Sequence, residues 1–319
     1  MSEARYIFPS DWMADPAPHV FGGKIYIYPS HDRESGIPER DNGDHFDMVD
    51  YHVLRMDSIT QERAEDCGVA LELADIPWAK RQLWDSDVVE KRKYYMYFSA
   101  KDAKGAFRIG VAVADRPEGP FTPDPEPIPG SYSIDPCAFK DDDGEVYLVF
   151  GGLWGGQLQR YRNNRAVFTA EEDTLPVDNR AALEPEPDEP ALSPKITKLS
   201  QDMHSFAEAP KDLVITDESG APLLAGDHDR RFFEASWLCK KGGVYSFSWS
   251  TGDTHFICEA ESDSVYGPYV YKRRLLGPQV GWTTHHGICE VDGKCWLFHH
   301  DSAPSGGRTW LRSLKLKEL

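Results

Sequence analysis

The chain has 319 residues, enough for one large domain or two ordinary ones, and its 40% hydrophobic and 28% charged content is that of a soluble globular protein. Its 35 Lys+Arg against 53 Asp+Glu leave a net charge of −18, which speaks against nucleic acid and against an anionic membrane as partners. Aromatic residues reach 12%, a level suited to β-structure and to sugar-binding faces.

The N-terminal stretch "MSEARYIFPSDWMADP" has no basic segment followed by an apolar run, so the expected location is cytoplasmic. No later run is long enough to span a membrane as a helix. Period-2 patterns of aromatic and β-branched residues then begin, punctuated by Gly and Asp turns. Five segments resemble one another: "FGGKIYIYPS" from Phe21, "EKRKYYMYFS" from Glu90, "DGEVYLVFGG" from Asp143, "KGGVYSFSWS" from Lys241 and "DGKCWLFHHD" from Asp292. Each follows another short strand: "PHVF", "SDVVE", "CAFKD", "SWLCK" and "GICEV". One β-hairpin is thus repeated five times, and a hairpin repeated around an axis marks a propeller. The pattern predicts an all-β fold, a five-bladed β-propeller, with residues 1–319 as a single domain. A two-sheet sandwich is the structural alternative. The best helical window, "DSITQERAEDCGVALEL" from Asp57, has only a weak helical pattern. Residues 162–195, rich in acid and proline, read as a long excursion between blades three and four. Six cysteines without a dense framework suggest free thiols in a reducing compartment.

The hairpin turns give a register. Eight places before Gly23, Arg92, Gly242 and Gly293 lie Asp15, Trp84, Glu234 and His285; nine places before Gly144, whose turn has one extra residue, lies Asp135. These strand starts would converge on one mouth of the channel. A carboxylate there has no packing role and costs free energy if buried without a partner. Singly, Asp15 and Asp135 before proline are ordinary turn starters. Their shared register with Glu234 points to a site. The four histidines of "TTHHGICEVDGKCWLFHHD" lack zinc-module spacing. Alternation places His299 and His300 on opposite faces, so both cannot reach one ion.

With these residues in view, the chain resembles glycoside hydrolase family 43 over nearly its whole length. The resemblance is carried by "ADP" at residues 14–16, "SIDPCAFKDDDGEVYL" around Asp135, "FFEASWLCKKGGVYSFSWS" around Glu234, "SDSVYGPY" from Ser262 and "HHGICEVDGKCWLFHHD". It departs where "EAS" replaces the more usual Glu-Gly-Pro or Glu-Ala-Pro; the "AEAP" holding Glu208 lacks the aromatic hairpin behind it. The resemblance implies a five-bladed propeller acting on xylan and arabinan fragments. It implies Asp15 as general base, Glu234 as general acid and Asp135 as the group that raises the acid's pKa. Inversion needs an acid and a base roughly 6.5–9.5 Å apart to admit water. It also implies a divalent cation, calcium, held by His285 with waters; the alternative is His285 bonding water with no metal. His286, His299 and His300 would face away or line the rim.

For substrate binding, Trp84 is a candidate stacking surface, with Phe46 and Phe233 closing the subsite, His31 and Asp32 nearby, and Arg308 bonding a hydroxyl. The expected substrate is a short xylo-oligosaccharide, trimmed from its end by a β-xylosidase; α-L-arabinofuranosidase or dual activity is the rival. A non-catalytic sugar-binding propeller would lack one of the axial carboxylates. A phosphorylase would need a basic cluster beside Asp15, and none is evident in the sequence. A homo-oligomer remains open.

Overall fold

The structure is a computed structural model and describes residues 3–40, 42–162, 165–166 and 183–319. Five antiparallel sheets follow one another along the chain and stand around a common axis. Blade I is Met13–Phe21, Lys24–His31, Asp50–Met56 and Glu65–Glu72; blade II is Ser86–Lys91, Lys93–Lys101, Phe107–Ala114 and Thr122–Pro123. Blade III is Cys137–Lys140, Val146–Phe150, Lys195–Lys198 and Lys211–Asp212. Blade IV is Glu234–Lys241, Val244–Ser250, Ile257–Ser262 and Tyr269–Leu276, with Ile215–Thr216 added parallel at its outer edge. Blade V is His286–Val291, Lys294–Asp301 and Ser313–Glu318, completed by Arg5–Tyr6 from the N-terminus. That pairing of Arg5 with Leu316 closes the ring, because the first and last strands share one blade.

The five repeated hairpins are the two innermost strands of each blade. Their turns explain the register. Gly22–Gly23, Gly242–Gly243 and Asp292–Gly293 all carry positive φ at both central positions, as a two-residue primed turn requires. Blade II turns on Arg92 alone, at φ 67, between Lys91 and Lys93. Most of a middle strand such as Lys93–Lys101 is buried from Met96 onward, because blades pack face to face and cover both surfaces. The window from Asp57 is no helix; it ends in the strand Glu65–Glu72, where cross-strand pairing overrides a weak helical pattern.

Side chains stitch neighbouring blades together. His19 of blade I meets Asp87 of blade II at 2.5 Å, and the other oxygen of Asp87 accepts from Ala138 N–H of blade III at 2.7 Å. Leu238 N–H of blade IV donates to Cys137 Sγ, and Trp237 Nε1 donates to the Ile288 carbonyl of blade V. All six cysteines are free thiols. Most of the acidic excursion, residues 163–164 and 167–182, lies outside the described residues.

Candidate active site

One mouth of the axis opens into a pocket. The five residues of the hairpin register, Asp15, Trp84, Asp135, Glu234 and His285, all line it, and so do Phe46 and Phe233. Each carboxylate is placed by an irregularity at the start of an innermost strand. The ladder slips between Ala14 and Ala17 and between Glu234 and Trp237, and such bulges re-aim side chains. Asp15, Asp135 and Ala235 sit at φ 47, 58 and 62. By this backbone match, Ala235 is the equivalent of Asp15, and Glu234 stands one place earlier. The glycine that matches Gly23 is therefore Gly243, not Gly242.

Blade II departs in the same way. Its axial carboxylate is Asp85, next to Trp84, and the sequence register missed it because the one-residue turn at Arg92 shortens the count. Asp85 Oδ1 accepts from Asp135 N–H at 3.0 Å and from Ser99 Oγ at 3.1 Å. Asp135 Oδ2 in turn accepts from Ala235 N–H at 2.5 Å. Blades III and IV thus each hand a strand-start N–H to the acid of the blade before. A side-chain hydrogen bond joins Asp85 to Asp135. Burial, then the Asp135 charge, pushes the Asp85 pKa well up, so Asp85 holds the shared proton.

Asp15 and Glu234 are held in opposite states. Burial alone would raise the Asp15 pKa; Arg312, then His285, outweighs it and holds Asp15 well below the usual carboxylate range. Arg312 Nη1 lies 2.8 Å from Asp15 Oδ1, and its other nitrogens grip Asp32 at 2.7 and 2.8 Å. His300 Nδ1 accepts from Asp15 N–H at 3.1 Å, while its Nε2 lies 3.2 Å from the Thr283 carbonyl. Burial, then Arg312, lowers the His300 pKa to about 3, so it is neutral. Glu234 has no such cation. Burial, then the charges of Asp135 and Asp15, raises its pKa well above the ordinary value. A protonated acid and an ionised base thus share one mouth.

Trp84 is fixed by its Nε1 bond to the Phe46 carbonyl at 2.8 Å. Gly43, at φ 75, lies against it; a Cβ there would come within 2.7 Å of the indole. Phe46 lies under the Arg312 guanidinium at 4.9 Å. Phe233 packs edge-on against Trp154 and Trp282, two pocket tryptophans the sequence reading did not select. Trp154 Nε1 donates to Glu184, in the described end of the acidic excursion.

Three expected binding residues lie elsewhere. His31 turns to Asp50 at 2.7 Å, away from the pocket lining. Asp32 is buried behind it and serves Arg312 instead of sugar. Arg308 is on an exposed loop and pairs with Glu34 at 3.2 Å. Arg312, four residues on, where the chain enters the strand Ser313–Glu318, lines the pocket instead, as does Arg40. With His285 and His300, Arg312 also corrects the expectation that no basic cluster accompanies Asp15. His300 does not face away, since it backs Asp15. His286 is buried against Ser248 Oγ at 2.6 Å. Glu208 pairs with Lys211 and Tyr266 and does not line the pocket.

A divalent ion can be tested against the residues present. A hard cation wants oxygen. His285 Nδ1 faces Asp15 Oδ1 at 3.4 Å. Asp15 is engaged by Arg312, and Asp135 by Ala235 and Asp85. The buried hydroxyls of Ser86 and Ser236, on the first strands of blades II and IV, have no protein partner among the described residues. A single imidazole whose neighbouring carboxylates are already engaged suits a largely hydrated ion and not a zinc cage.

A propeller whose mouth sets a protonated carboxyl against an ionised one has the equipment of a glycoside hydrolase. Comparison with known proteins agrees. The family profile for glycosyl hydrolases family 43 matches residues 65–189. A Bacteroides ovatus protein called xylosidase/arabinosidase is 58% identical over 319 residues, covering 100% of this chain and 94% of its own. A β-xylosidase of Xylanibacter ruminicola is 55% identical, covering 99% and 96%. A β-xylosidase/α-arabinofuranosidase from a compost microbial metagenome, solved with xylotriose in a calcium-free form, superposes with TM-score 0.94 at 54% identity, covering 100% and 94%. The chain belongs to glycosyl hydrolase family 43.

Proposed function

We propose that the protein is an exo-acting β-xylosidase that releases xylose from the non-reducing end of xylo-oligosaccharides with inversion. The observation that carries this is the opposed protonation of Asp15 and Glu234 across one aromatic-walled pocket. Glu234 gives its proton to the glycosidic oxygen as the anomeric C–O bond breaks. A water on the opposite face forms the new bond, and Asp15 takes its proton. Asp135 keeps Glu234 protonated until that moment. Trp84 covers the apolar face of the sugar ring, and Phe46 and Phe233 limit the pocket around it. The relative solved with xylotriose supports this substrate class. Relatives named for both xylosidase and arabinosidase activity favour a second activity on α-L-arabinofuranosides in the same pocket.

A calcium ion held by His285 would add positive charge close to Asp15, with waters completing its shell. The calcium-free state described for the compost relative supports this reading. The test is nitrophenol release from the β-xyloside and the α-arabinofuranoside, with and without chelator. Arabinofuranoside cleavage faster than xyloside cleavage would overturn the main reading, and rates indifferent to chelator and to added calcium would overturn the ion. Equal rates with and without phosphate are expected of a hydrolase.

A further inference from the structure

We propose that His31, Asp50 and His52 form a second metal site, for a divalent transition ion such as zinc, at the root of the pocket's blade I wall. The three side chains meet through sheet geometry. Ser30 pairs with Tyr51 across the ladder, so His31 comes opposite Asp50. His52 is two residues beyond Asp50 on the same strand, hence on the same face. One ligand atom from each of the three lies within 4.8 Å of the others. The two imidazole rings are 4.5 Å apart between centroids.

The donor chemistry is that of zinc. His52 Nδ1 is held by Asp66 at 2.9 Å, which leaves Nε2 outward, 4.0 Å from Asp50 Oδ2. A carboxylate behind a histidine fixes its tautomer and raises its basicity toward a metal. Zinc bonds of about 2.1 Å place tetrahedral ligands roughly 3.4 Å apart, so small side-chain rotations close the set. His31 Nδ1 faces Asp50 at 2.7 Å, and Asp11 Oδ2 lies 3.4 Å from Nε2 on the far edge of the ring, where it backs His31 as Asp66 backs His52; water completes the shell. With neutral imidazoles, Asp11, Asp50 and Asp66 put three negative charges around the two rings, and Arg33 is drawn off by Asp47. The side chains keep 14–22% exposure at His52, His31 and Asp50, enough for entry of an ion.

The placement gives the ion a task. His31 ends one strand and Asp50 begins the next, so they are the two roots of the segment 32–49. That segment supplies Glu39, Arg40, Gly43, His45, Phe46 and Met48 to the pocket. An ion bridging the roots clamps this wall without touching substrate.

The experiment is calorimetric zinc titration of the chelator-stripped protein in excess calcium, paired with melting curves. One zinc is expected to bind and to raise the melting temperature. His52→Ala and Asp50→Asn should weaken binding at least tenfold, while His285→Ala should leave it intact. Asp66→Asn, which keeps all three ligands, should weaken it roughly 10–100-fold and covers the case in which the ligand variants fold poorly. Absence of zinc binding by the wild type, unchanged binding in His52→Ala and Asp66→Asn, or loss of binding in His285→Ala would each overturn the proposal.

Discussion

Asp15 on blade I and Glu234 on blade IV are both buried carboxylic acids at one channel mouth, yet their surroundings are opposite. Asp15 looks toward Arg312, His285 and His300. Glu234 looks toward Asp135 and an aromatic wall of Phe233, Trp154 and Trp282, with Arg312 acting only weakly. Burial pushes both toward the neutral form. Only Asp15 has cations close enough to reverse that push. The proton state of each acid is therefore written in its neighbours, not in the choice of Asp or Glu.

The strongest way to break this contrast is to remove the acids themselves. Asp15→Asn and Glu234→Gln should each cut kcat on an oligosaccharide roughly 10²–10⁴-fold. The two losses should differ in kind. An activated aryl leaving group needs little protonation, so Glu234→Gln should recover much of its rate on dinitrophenyl xyloside. Asp15→Asn should not. Equal recovery in both variants would contradict the assigned roles.

Arg312 comes next. Arg312→Met leaves Asp15 and Asp32 buried without their shared cation. Breaking such a pair costs about 3–5 kcal/mol, and a lowered melting temperature should show it. The Asp15 pKa should rise, moving the acid limb of kcat/KM to higher pH while the alkaline limb stays. An unmoved acid limb would mean that Arg312 only packs.

Asp85 sharpens the Glu234 side. In Asp85→Ala, Asp135 loses its proton donor, so its own pKa rises and it spends more time neutral. Glu234 then loses a neighbouring negative charge, its pKa falls, and the alkaline limb shifts to lower pH. Asp85→Asn still donates and accepts, and should keep the wild-type limb. The pair of pH profiles checks this; identical shifts in Ala and Asn would point to packing alone.

How much of this was legible in the sequence depends on what each feature needs. Five hairpins were legible because Gly–Gly and Asp–Gly turns and aromatic strands are local signals. Asp15, Asp135 and His285 followed from counting back from those turns. Counting failed where chain length changes locally. The one-residue turn at Arg92 hid Asp85 behind Trp84, and the bulge at Ala235 let Glu234 fall on the expected count for a coincidental reason. Arg312 was out of reach because its partners, Asp15 and Asp32, are 297 and 280 residues away. A buried Asp32 implies a cation somewhere, but nothing local chooses Arg312 over Arg308.

The smallest expected effect concerns the histidines of blade V. His285 is drawn toward the charged form by Asp135 and Asp15, against burial. His299, on the same blade, is fully buried, its ring nitrogens have no hydrogen-bond partner of good geometry among the described residues, and burial, then Lys315, lowers its pKa to about 4 against a weak pull from the His300 backbone. A histidine whose folded pKa lies below its unfolded value near 6.5 makes the protein lose stability as pH falls from about 6.5 to about 4, since only the unfolded chain takes up the proton in that window. The loss for this shift is about 3 kcal/mol at most. His299→Leu, similar in volume and unable to titrate, should match the wild type at pH 7 and exceed it at pH 4, with activity at neutral pH preserved. Urea melts at the two pH values measure the difference; equal acid sensitivity in both proteins would show that His299 finds a proton-accepting partner in solution and belongs with His285 instead.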